Sequence, residues 1–412
     1  MESVMLAKLV SLLDRQGDLV FELQSALTAA RAVGPENGGE GEAAKAALIE
    51  DFLRAHNITD IVHVDAPDPR VPGGLRPNFI ATLPGRSTRA LWLFAHMDVV
   101  PCGDLSLWKT DPWVVKRRGD LLMGRGVEDN QQALVSMLLL AKGLQELHIV
   151  PEYTLKLVFM SDEECGNTMG LAHVLAERGD LFPADDLYIV PDGGSPDGSE
   201  IEIAEKSLCW LKFTVTGEQC HASLPYKGVN ALVAASAIIM DLQNLAQDFS
   251  DRNPLFAPPV STFTPTRHEN NVDGVNIMPG RDVFWMDCRI LPETDVDSVF
   301  CKVRERASAC AARHGATVSV EVPVCNPASA TEADAPVVRA LTQALAEAGI
   351  TPRPVGIGGG TVAALLRHRG LAACVWSTIR SCCHEPNELS SITATLKDAQ
   401  IFARIALGTN SF

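Results

Sequence analysis

The chain has 412 residues, a formal net charge of −16 at pH 7, and 46% hydrophobic and 21% charged residues. This length exceeds what one hydrophobic core usually fills, so two domains are expected, and the ordinary globular composition argues against a disordered or fibrous protein. The acidic excess argues against a nucleic-acid partner and against binding to an anionic membrane surface.

The sequence predicts neither export nor a membrane span. Residues 1–20 are amphipathic and charged, and they lack the apolar core and small-residue cleavage site of a signal peptide. No stretch approaches the ~20 uncharged apolar residues that cross a bilayer. Eleven cysteines, an odd number without a CxxC pair, indicate reduced thiols in a cytoplasm. We interpret the adjacent Cys382 and Cys383 as structural, because neighbouring cysteines cannot easily chelate one ion together.

The first part of the chain alternates helices with apolar strands. Apolar periodicity predicts helices over residues 41–58, 130–147 and 171–179. Short apolar or β-rich runs predict strands over residues 78–85, 89–100, 154–164 and 186–194. This alternation indicates βαβ units, and therefore an α/β fold with a mixed, largely parallel sheet and helices on both faces.

The pattern changes near residue 207. The predicted strands are then 207–217, 260–269, 281–291 and 316–324, and the predicted helices are 229–246 and 298–315. Their order, β-α-β-β-α-β, is the ferredoxin-like arrangement. The α/β pattern returns with helices at 335–350, 361–370 and 392–407 and a strand at 372–378. We therefore predict an α+β module, residues 207–325, inserted into a larger α/β domain formed by residues 1–206 and 326–412.

Histidines and carboxylates follow the predicted strands of the α/β domain. In open α/β sheets the chemistry takes place beyond the carboxyl ends of the strands. The residues there are His96 and Asp98, residues 161–164, Asp192, and His384 with Glu385, and Asp129 comes just before a helix. Chance would scatter such residues over loops and exposed helix faces, so we expect them to form one site.

Two histidines and at least three carboxylates at one sheet edge are hard to explain by structure alone. Crowded carboxylates repel one another, and burying them without compensation costs several kcal/mol. A cation removes this cost, and nitrogen and oxygen ligands suit zinc best, with cobalt or manganese as alternatives. Five ligand candidates suffice for two ions about 3.5–4 Å apart that share a carboxylate.

Asp98 lies two residues after His96, and on a strand positions i and i+2 face the same way. Its carboxylate can therefore reach the ring nitrogen of His96 that does not hold metal, which fixes the tautomer. The alternative is that Asp98 only caps the following turn.

Eight short motifs occur in one order between about residue 78 and residue 388. They are AHMDVVP, GRGVEDN, SDEECG, PDGG, GEQCHASLPYKGVNAL, VNIMPG with DCR, GGGT and HEPNE. In these motifs the chain resembles the M20 family of co-catalytic zinc peptidases and deacylases, which includes acetylornithine deacetylase, succinyl-diaminopimelate desuccinylase, carboxypeptidases and aminoacylase. Each motif alone is weak, whereas eight in family order are a specific match.

The resemblance implies two Zn²⁺ ions per subunit, with Co²⁺ or Mn²⁺ as alternatives. His96 and Asp192 would hold one ion, and Glu164 and His384 would hold the other. Asp129 would bridge the two ions.

The resemblance also implies catalytic roles for three residues. Asp98 would orient the histidine at the end of its strand. Glu163 would be the general base, which takes a proton from the attacking water and returns it to the leaving amine; an exposed loop acid is the alternative. His221, in the inserted module, would reach the active site of the partner subunit in a homodimer formed through this module; a surface histidine in a hairpin is the alternative.

Four further residues would contact a small-molecule substrate. Asn276 and Arg289 look like lid residues, and Arg289 would form a bidentate grip on a carboxylate; a surface charge on a sheet is the alternative for Arg289. Gly360 and Thr361 end the loop GIGGGT, whose glycines would let backbone N–H groups meet a substrate carboxylate at a helix N-terminus.

Two features depart from the family pattern. Asn130, Gln131 and Gln132 follow the predicted bridging aspartate, where family members usually have a lysine and a glycine. Asp192 occupies a position that is commonly glutamate in deacylases and carboxypeptidases, and aspartate in dipeptidases and aminopeptidases. The first departure bears on metal affinity, and the second bears on the substrate class.

We therefore predict a cytoplasmic, dimeric two-zinc hydrolase that cleaves the amide bond of a small N-acyl amino acid of the acetylornithine or succinyl-diaminopimelate kind. A dipeptidase or carboxypeptidase of the same family is the alternative within the class. A non-catalytic binding protein is disfavoured because all five ligand positions and Glu163 carry competent residues. A dinucleotide enzyme is disfavoured because no GxGxxG opens a helix after the first strand.

Overall fold

The computed structural model of the protein describes residues 2–408, and helices alternate with strands along most of this range. Its eleven α-helices are α1 Glu2–Leu13, α2 Gly17–Ala29, α3 Ala43–Ala55, α4 Gln131–Glu146, α5 Leu171–Arg178, α6 Ala231–Leu242, α7 Leu245–Asp248, α8 Val296–Arg313, α9 Pro336–Glu347, α10 Ala363–Arg367 and α11 Ile392–Ala406.

The strands of the same range are mostly short in the small ladders and longer in the two large sheets. They are β1 Ile61–His63, β2 Ala66–Pro67, β3 Leu75–Arg76, β4 Phe79–Leu83, β5 Ala90–His96, β6 Lys116–Arg118, β7 Leu121–Met123, β8 Thr154–Met160, β9 Leu187–Gly194, β10 Glu200–Glu205, β11 Ser207–Thr216, β12 Cys220–His221, β13 Thr262–His268, β14 Ile277–Met278, β15 Arg281–Ile290, β16 Thr317–Asn326, β17 Ser329–Ala330, β18 Arg353–Ile357, β19 Ala373–Ser377 and β20 Leu389–Ser391.

These elements form two compact units. The α/β unit consists of the described parts of 1–203, 331–354 and 361–412, and the α+β unit consists of 204–330 and 355–360. The domain boundaries at 206/207 and 325/326 stay a prediction.

The α/β unit is built on a mixed sheet with the strand order β1-β4-β8-β5-β9-β19-β10. Strands β8, β5, β9 and β19 run parallel, whereas β4, β1 and β10 are antiparallel to their neighbours. Parallel strands place their carboxyl ends at one edge, so the segments that follow them meet there. Helix α4 connects β5 to β8, and its N-terminus therefore starts from the same edge.

The central strands are covered on both faces. All seven residues of β5 and all five of β19 are buried. A strand without an exposed face has no place for alternating polar residues, which explains the continuous apolar run before His96. On one face Trp92 packs against Phe182 and Tyr188, with ring centroids 4.7 and 5.9 Å away.

The α+β unit contains a four-stranded antiparallel sheet with the order β13-β15-β11-β16, on which α6 and α8 pack. Alternate residues of β11, from Cys209 to Val215, are buried under these helices. Phe213 stacks on Phe284 of the neighbouring strand with ring centroids 4.4 Å apart. One apolar face and one polar face explain the alternating sequence of β11.

This architecture is the predicted one, with differences in detail. The helix expected over 229–246 divides into α6 and α7, and the helix expected over 361–370 spans only Ala363–Arg367. The prediction missed β10, where acidic residues alternate with apolar ones. Glu202 of that strand is buried, and its carboxylate lies 3.3 Å from the guanidinium of Arg367, so an ion pair accommodates this acid inside the protein.

Candidate metal centre

The structure brings seven of the twelve predicted site residues together at the carboxyl edge of the α/β sheet. Each one ends a parallel strand, follows one, or precedes α4. They are His96, Asp98, Asp129, Glu163, Glu164, Asp192 and His384. The topology therefore assembles side chains that lie up to 288 positions apart in the chain, from 96 to 384.

Asp129 lies between the two histidines. Its Oδ1 is 2.8 Å from Nε2 of His96, and its Oδ2 is 3.1 Å from Nε2 of His384. Nε2 of His384 is also 3.0 Å from Glu164 Oε2, and Nε2 of His96 is 3.7 Å from Asp192 Oδ1. Each histidine thus faces one carboxylate of its own and one oxygen of the shared aspartate.

The ring of His96 is buried, and its second nitrogen meets Asp98. Nδ1 lies 3.0 Å from the carbonyl oxygen of Asp98 and 3.4 Å from its Oδ1. A proton on Nδ1 donates to this residue and leaves the lone pair of Nε2 directed toward the acids. The backbone carbonyl, rather than the carboxylate expected from the sequence, is the nearer acceptor.

The carboxylate of Asp98 has another contact that the sequence did not indicate. Its Oδ1 accepts a hydrogen bond from the backbone N–H of Glu163 at 3.1 Å, and its Oδ2 accepts one from the N–H of Glu164 at 3.0 Å. Asp162 just before them has φ of 63° and accepts a bond from the N–H of Met169 at 2.8 Å. These contacts fix the turn that presents two successive glutamates to the site.

The acids around the two histidines raise the pKa values of both rings. Burial alone lowers the pKa of His96, but hydrogen bonds with Asp129 and Asp192 raise it well above its ordinary value. Hydrogen bonds with Asp129 and Glu164 raise the pKa of His384 to about 10. Burial raises the pKa of Asp129, and the two histidines more than offset this and hold it well below its ordinary value.

The remaining acids are destabilised in their charged forms. Burial raises the pKa values of Glu163, Glu164 and Asp192, and for Glu163 the negative charge of Asp192 adds to the effect. In each of two groups of three residues, the ligand atoms lie within 4.8 Å of one another. The groups are His96, Asp129 and Glu164, and His96, Glu163 and Asp192. Nitrogen and oxygen donors under mutual repulsion fit a divalent transition-metal centre.

Asn130 and Gln132, two of the residues that depart from the family pattern, form hydrogen bonds with segments at this edge of the sheet. Asn130 donates from Nδ2 to the carboxylate of Asp192 and to the carbonyl oxygen of Pro191 at 3.1 Å. Gln132 donates from Nε2 to the carbonyl oxygen of Thr378 at 2.6 Å and to Asp398 Oδ2 at 2.9 Å. Both side chains are buried, so the polar sequence after Asp129 forms internal hydrogen bonds and is not a solvent-exposed loop.

Two buried carboxylates beside the ligand candidates had no role in the sequence analysis. Glu128 precedes Asp129 in GRGVEDN, and Glu388 ends HEPNE. They are 4% and 0% exposed. The sequence did offer a signal for them, because each is an acid in a short motif that also contains a predicted metal ligand.

The five other predicted site residues include two that share a small antiparallel ladder of the α+β unit. His221 of β12 pairs with Ile277 of β14, and the N–H of Ala222 donates to the carbonyl oxygen of Asn276 at 2.9 Å. His221 and Asn276 are both exposed. Nδ1 of His221 accepts two hydrogen bonds from Ser223, one from its backbone N–H at 3.1 Å and one from its hydroxyl at 2.8 Å. Because Nδ1 is the acceptor, the ring proton lies on Nε2.

Arg289 of the α+β unit is already engaged in hydrogen bonds. Its Nε and Nη2 donate to both oxygens of Asp287 at 2.8 and 3.1 Å, and its Nη1 donates to the carbonyl oxygen of Gly358. Gly360 follows two residues later in the same glycine loop. In the α/β unit the Thr361 hydroxyl accepts a bond from the N–H of Ala363 at 3.1 Å, at the start of a helix of only five residues.

The sequence and the fold were compared with known proteins. Residues 92–408 match peptidase family M20/M25/M40. The chain belongs to this family. It is therefore a metallohydrolase of a family that acts on peptide or amide bonds, and the predicted family and enzyme class are confirmed.

Individual relatives are also hydrolases, but their names give different activities. An uncharacterized metallohydrolase of Methanococcus maripaludis is 35% identical over 94% of this chain and 98% of its own. A succinyl-diaminopimelate desuccinylase of Leptothrix cholodnii is 29% identical over 55% of this chain and 57% of its own. Human carnosine dipeptidase 1 is 15% identical, with a TM-score of 0.77 over 98% of both chains, which shows a shared fold.

Among residues 2–408, no helix has both the length and the apolar character needed to span a bilayer.

Proposed function

We propose that the protein is a two-metal amidohydrolase whose ions are held by His96 and Asp192 on one side and by Glu164 and His384 on the other. The observation that carries this proposal is the position of Asp129, which turns one carboxylate oxygen toward each histidine, at 2.8 and 3.1 Å. A carboxylate in this position suits a bridging ligand. Mixed nitrogen and oxygen donors favour Zn²⁺, with Co²⁺ or Mn²⁺ as alternatives.

We assign the general base to Glu163. The bound ions would supply Lewis acidity, which polarises the amide carbonyl and lowers the pKa of the attacking water. The Glu163 carboxylate would accept the water proton and deliver it to the amide nitrogen as the C–N bond breaks. Burial and the negative charge of Asp192 raise the pKa of Glu163, so its carboxylate accepts a proton more readily than an exposed glutamate does. Asp98 would hold it in place through the backbone of 163–164.

The α+β unit would supply substrate contacts and the dimer interface. The proton on Nε2 of His221 would donate to the scissile carbonyl in the partner subunit, and Asn276 lies on the same ladder. Exposed apolar side chains beside them, Tyr226, Val275 and Ile277, suit a surface that a second copy covers. Sedimentation of the purified protein would measure the predicted homodimer.

The substrate carboxylate would be recognised by Arg289 and by backbone N–H groups near Gly360 and Thr361. Because Arg289 is bound to Asp287, a substrate carboxylate would have to share or replace that partner. We also propose a cytoplasmic location, which the odd number of cysteines without a CxxC pair supports.

The first substrate class that we propose is a small N-acyl amino acid of the acetylornithine or succinyl-diaminopimelate kind. The second is a dipeptide or a carboxypeptidase substrate. Asp192 favours the dipeptide, because this position is commonly aspartate in dipeptidases and glutamate in carboxypeptidases. Zinc-loaded protein assayed against acyl-amino-acid and dipeptide panels separates the two. Activity on peptides alone would reject the first class, and activity on acyl amino acids alone would reject the second.

A further inference from the structure

Two carboxylates outside the ligand set lock together the segments that carry Asp129 and His384. Glu388 accepts four hydrogen bonds from the segment before α4. The donors are the backbone N–H groups of Gly126, Glu128 and Asp129, at 2.8, 2.8 and 3.1 Å, and Nη1 of Arg125, at 2.7 Å. The segment with HEPNE thereby fixes the backbone of the candidate bridging aspartate.

Glu128 makes the opposite connection. One of its oxygens accepts a hydrogen bond from the backbone N–H of Arg380, and the other accepts one from the N–H of Cys382 at 2.8 Å. Both oxygens are therefore occupied by backbone donors that lie two to four residues before His384. Arg125 adds a longer bond from Nη2 to the carbonyl oxygen of His384 at 3.5 Å.

The segment around His384 is irregular, and hydrogen bonds hold it on both sides of the histidine. After His384, the side chain of Asn387 bonds with the backbone of Leu107 and Lys109, at 2.9 and 2.7 Å, whereas before His384 the backbone bonds with Glu128. The segment contains three non-glycine residues in the left-handed region, Ser381, His384 and Asn387, with φ of 60°, 63° and 65°. Such residues cost free energy and persist where the surroundings fix them. The side chain of His384 is 53% exposed, so core packing does not determine its position.

From this geometry we infer that Glu128 is a positioning residue that holds the backbone before His384 so that its ring meets Asp129 and Glu164. The inference rests on the proposed function, because it assumes that His384 binds metal. A ligand held in advance loses less freedom when the ion binds. Partners of metal ligands typically contribute about 10- to 100-fold in metal affinity.

The test is a metal titration of Glu128→Gln, which keeps the size of the side chain but replaces one acceptor oxygen with a donor. Co²⁺ binding is followed by visible absorption, and Zn²⁺ binding by competition with a chromophoric chelator. We expect one equivalent to bind as in the wild type and the second to bind about 10- to 100-fold more weakly. His384→Ala sets the upper limit for this loss.

Asp186→Asn is the matched control. Asp186 is also a buried carboxylate whose two oxygens accept N–H donors, at 2.8 Å each, but it lies at the opposite end of the strands. We expect this variant to unfold more easily and to bind both equivalents normally.

Excess metal should restore kcat of Glu128→Gln without changing KM, because the catalytic groups are intact.

Unchanged affinity for both equivalents in Glu128→Gln would overturn the inference while leaving the proposed function standing. Fewer than two equivalents in the wild-type protein would overturn the proposed function and the inference with it. If Glu128→Gln does not fold, Glu128→Asp decides. It keeps the charge but withdraws the carboxylate by one methylene, and weaker binding of one equivalent is again expected.

Discussion

The two ends of the same strands use buried acids in opposite ways. At the amino ends of β5 and β9, Asp186 accepts hydrogen bonds from the N–H of Ala90 and from Nε1 of Trp92. At the carboxyl ends, the acids face histidines and one another, and the pKa values of Glu163 and Asp192 are raised.

The difference separates structure from chemistry. A buried carboxylate whose two oxygens accept hydrogen bonds from N–H donors has its polar atoms satisfied and ties two strands together. Carboxylates that are directed at one another are costly to bury, and that cost is recovered when a cation binds. Burial alone therefore does not mark a functional acid, whereas the kind of neighbour does.

The strongest test of the comparison is Glu163→Gln. We expect turnover to fall by about 100- to 10,000-fold, the usual contribution of a general base, while metal content stays unchanged. Single-turnover kinetics and elemental analysis of the same preparation measure both quantities. Loss of one metal equivalent would instead make Glu163 a ligand, since its oxygen also lies in the group with His96 and Asp192.

Asp129→Asn tests whether one residue serves both halves of the site. We expect the affinity for both ions to fall by at least about 100-fold, more than the loss of an outer-shell partner causes, because the amide cannot offer a charged oxygen to each side. Isothermal titration with Zn²⁺ measures the change. A variant that loses only one equivalent would contradict the shared position.

The pH dependence of stability should differ between metal-free and metal-loaded protein. The pKa of His384 is raised from 6.5 to about 10, so its contacts with acids stabilise the metal-free fold fully below about pH 6.5 and are lost as the pH rises through 10. Metal binding requires deprotonated ligands, so the stabilisation by Zn²⁺ should increase over the same range. Thermal unfolding from pH 6 to 10, with and without chelator, measures both trends. A metal-free Tm that rises with pH would oppose this account.

Asp186→Asn should have the smallest effect on function. One of the two donors, Ala90 N–H or Trp92 Nε1, loses its acceptor, and leaving one buried donor unpaired costs about 1–3 kcal/mol of the free energy of unfolding. Denaturant unfolding measures this cost, and kcat should stay at the wild-type value. A loss of metal in this variant would show that the two ends of the strands are coupled and would remove the contrast between them.

The sequence predicts the framework of this site well because the framework follows the strands. Apolar runs that end in a histidine or an acid mark the carboxyl edge, and parallel strands bring His96 and Asp192 to that edge. The metal-binding hypothesis needed only residue types at strand ends. The family membership, inferred from ordered motifs, is confirmed.

The hydrogen bonds between loops could not be predicted in this way. Glu128 and Arg380 are 252 positions apart, and no periodic pattern relates two irregular segments. The contact of the Asp98 carboxylate with the backbone of Glu163 and Glu164 likewise depends on a turn whose shape is set by tertiary contacts. Residue type and spacing indicate that an acid is present, and only the fold shows which N–H groups it meets.

The place of β19 in the sheet has a consequence for how the protein is made. This strand lies between β9 and β10, although its residues, 373–377, follow both of those strands and the whole α+β unit in the sequence. While the ribosome is still adding those residues, β9 has an open edge and the last histidine of the site does not yet exist. A nascent chain thus exposes an unpaired strand, a state that favours aggregation, until residues 373–377 have been made. Deletion of residues 373–384 would therefore split the sheet between β9 and β10 and remove His384 from the candidate site.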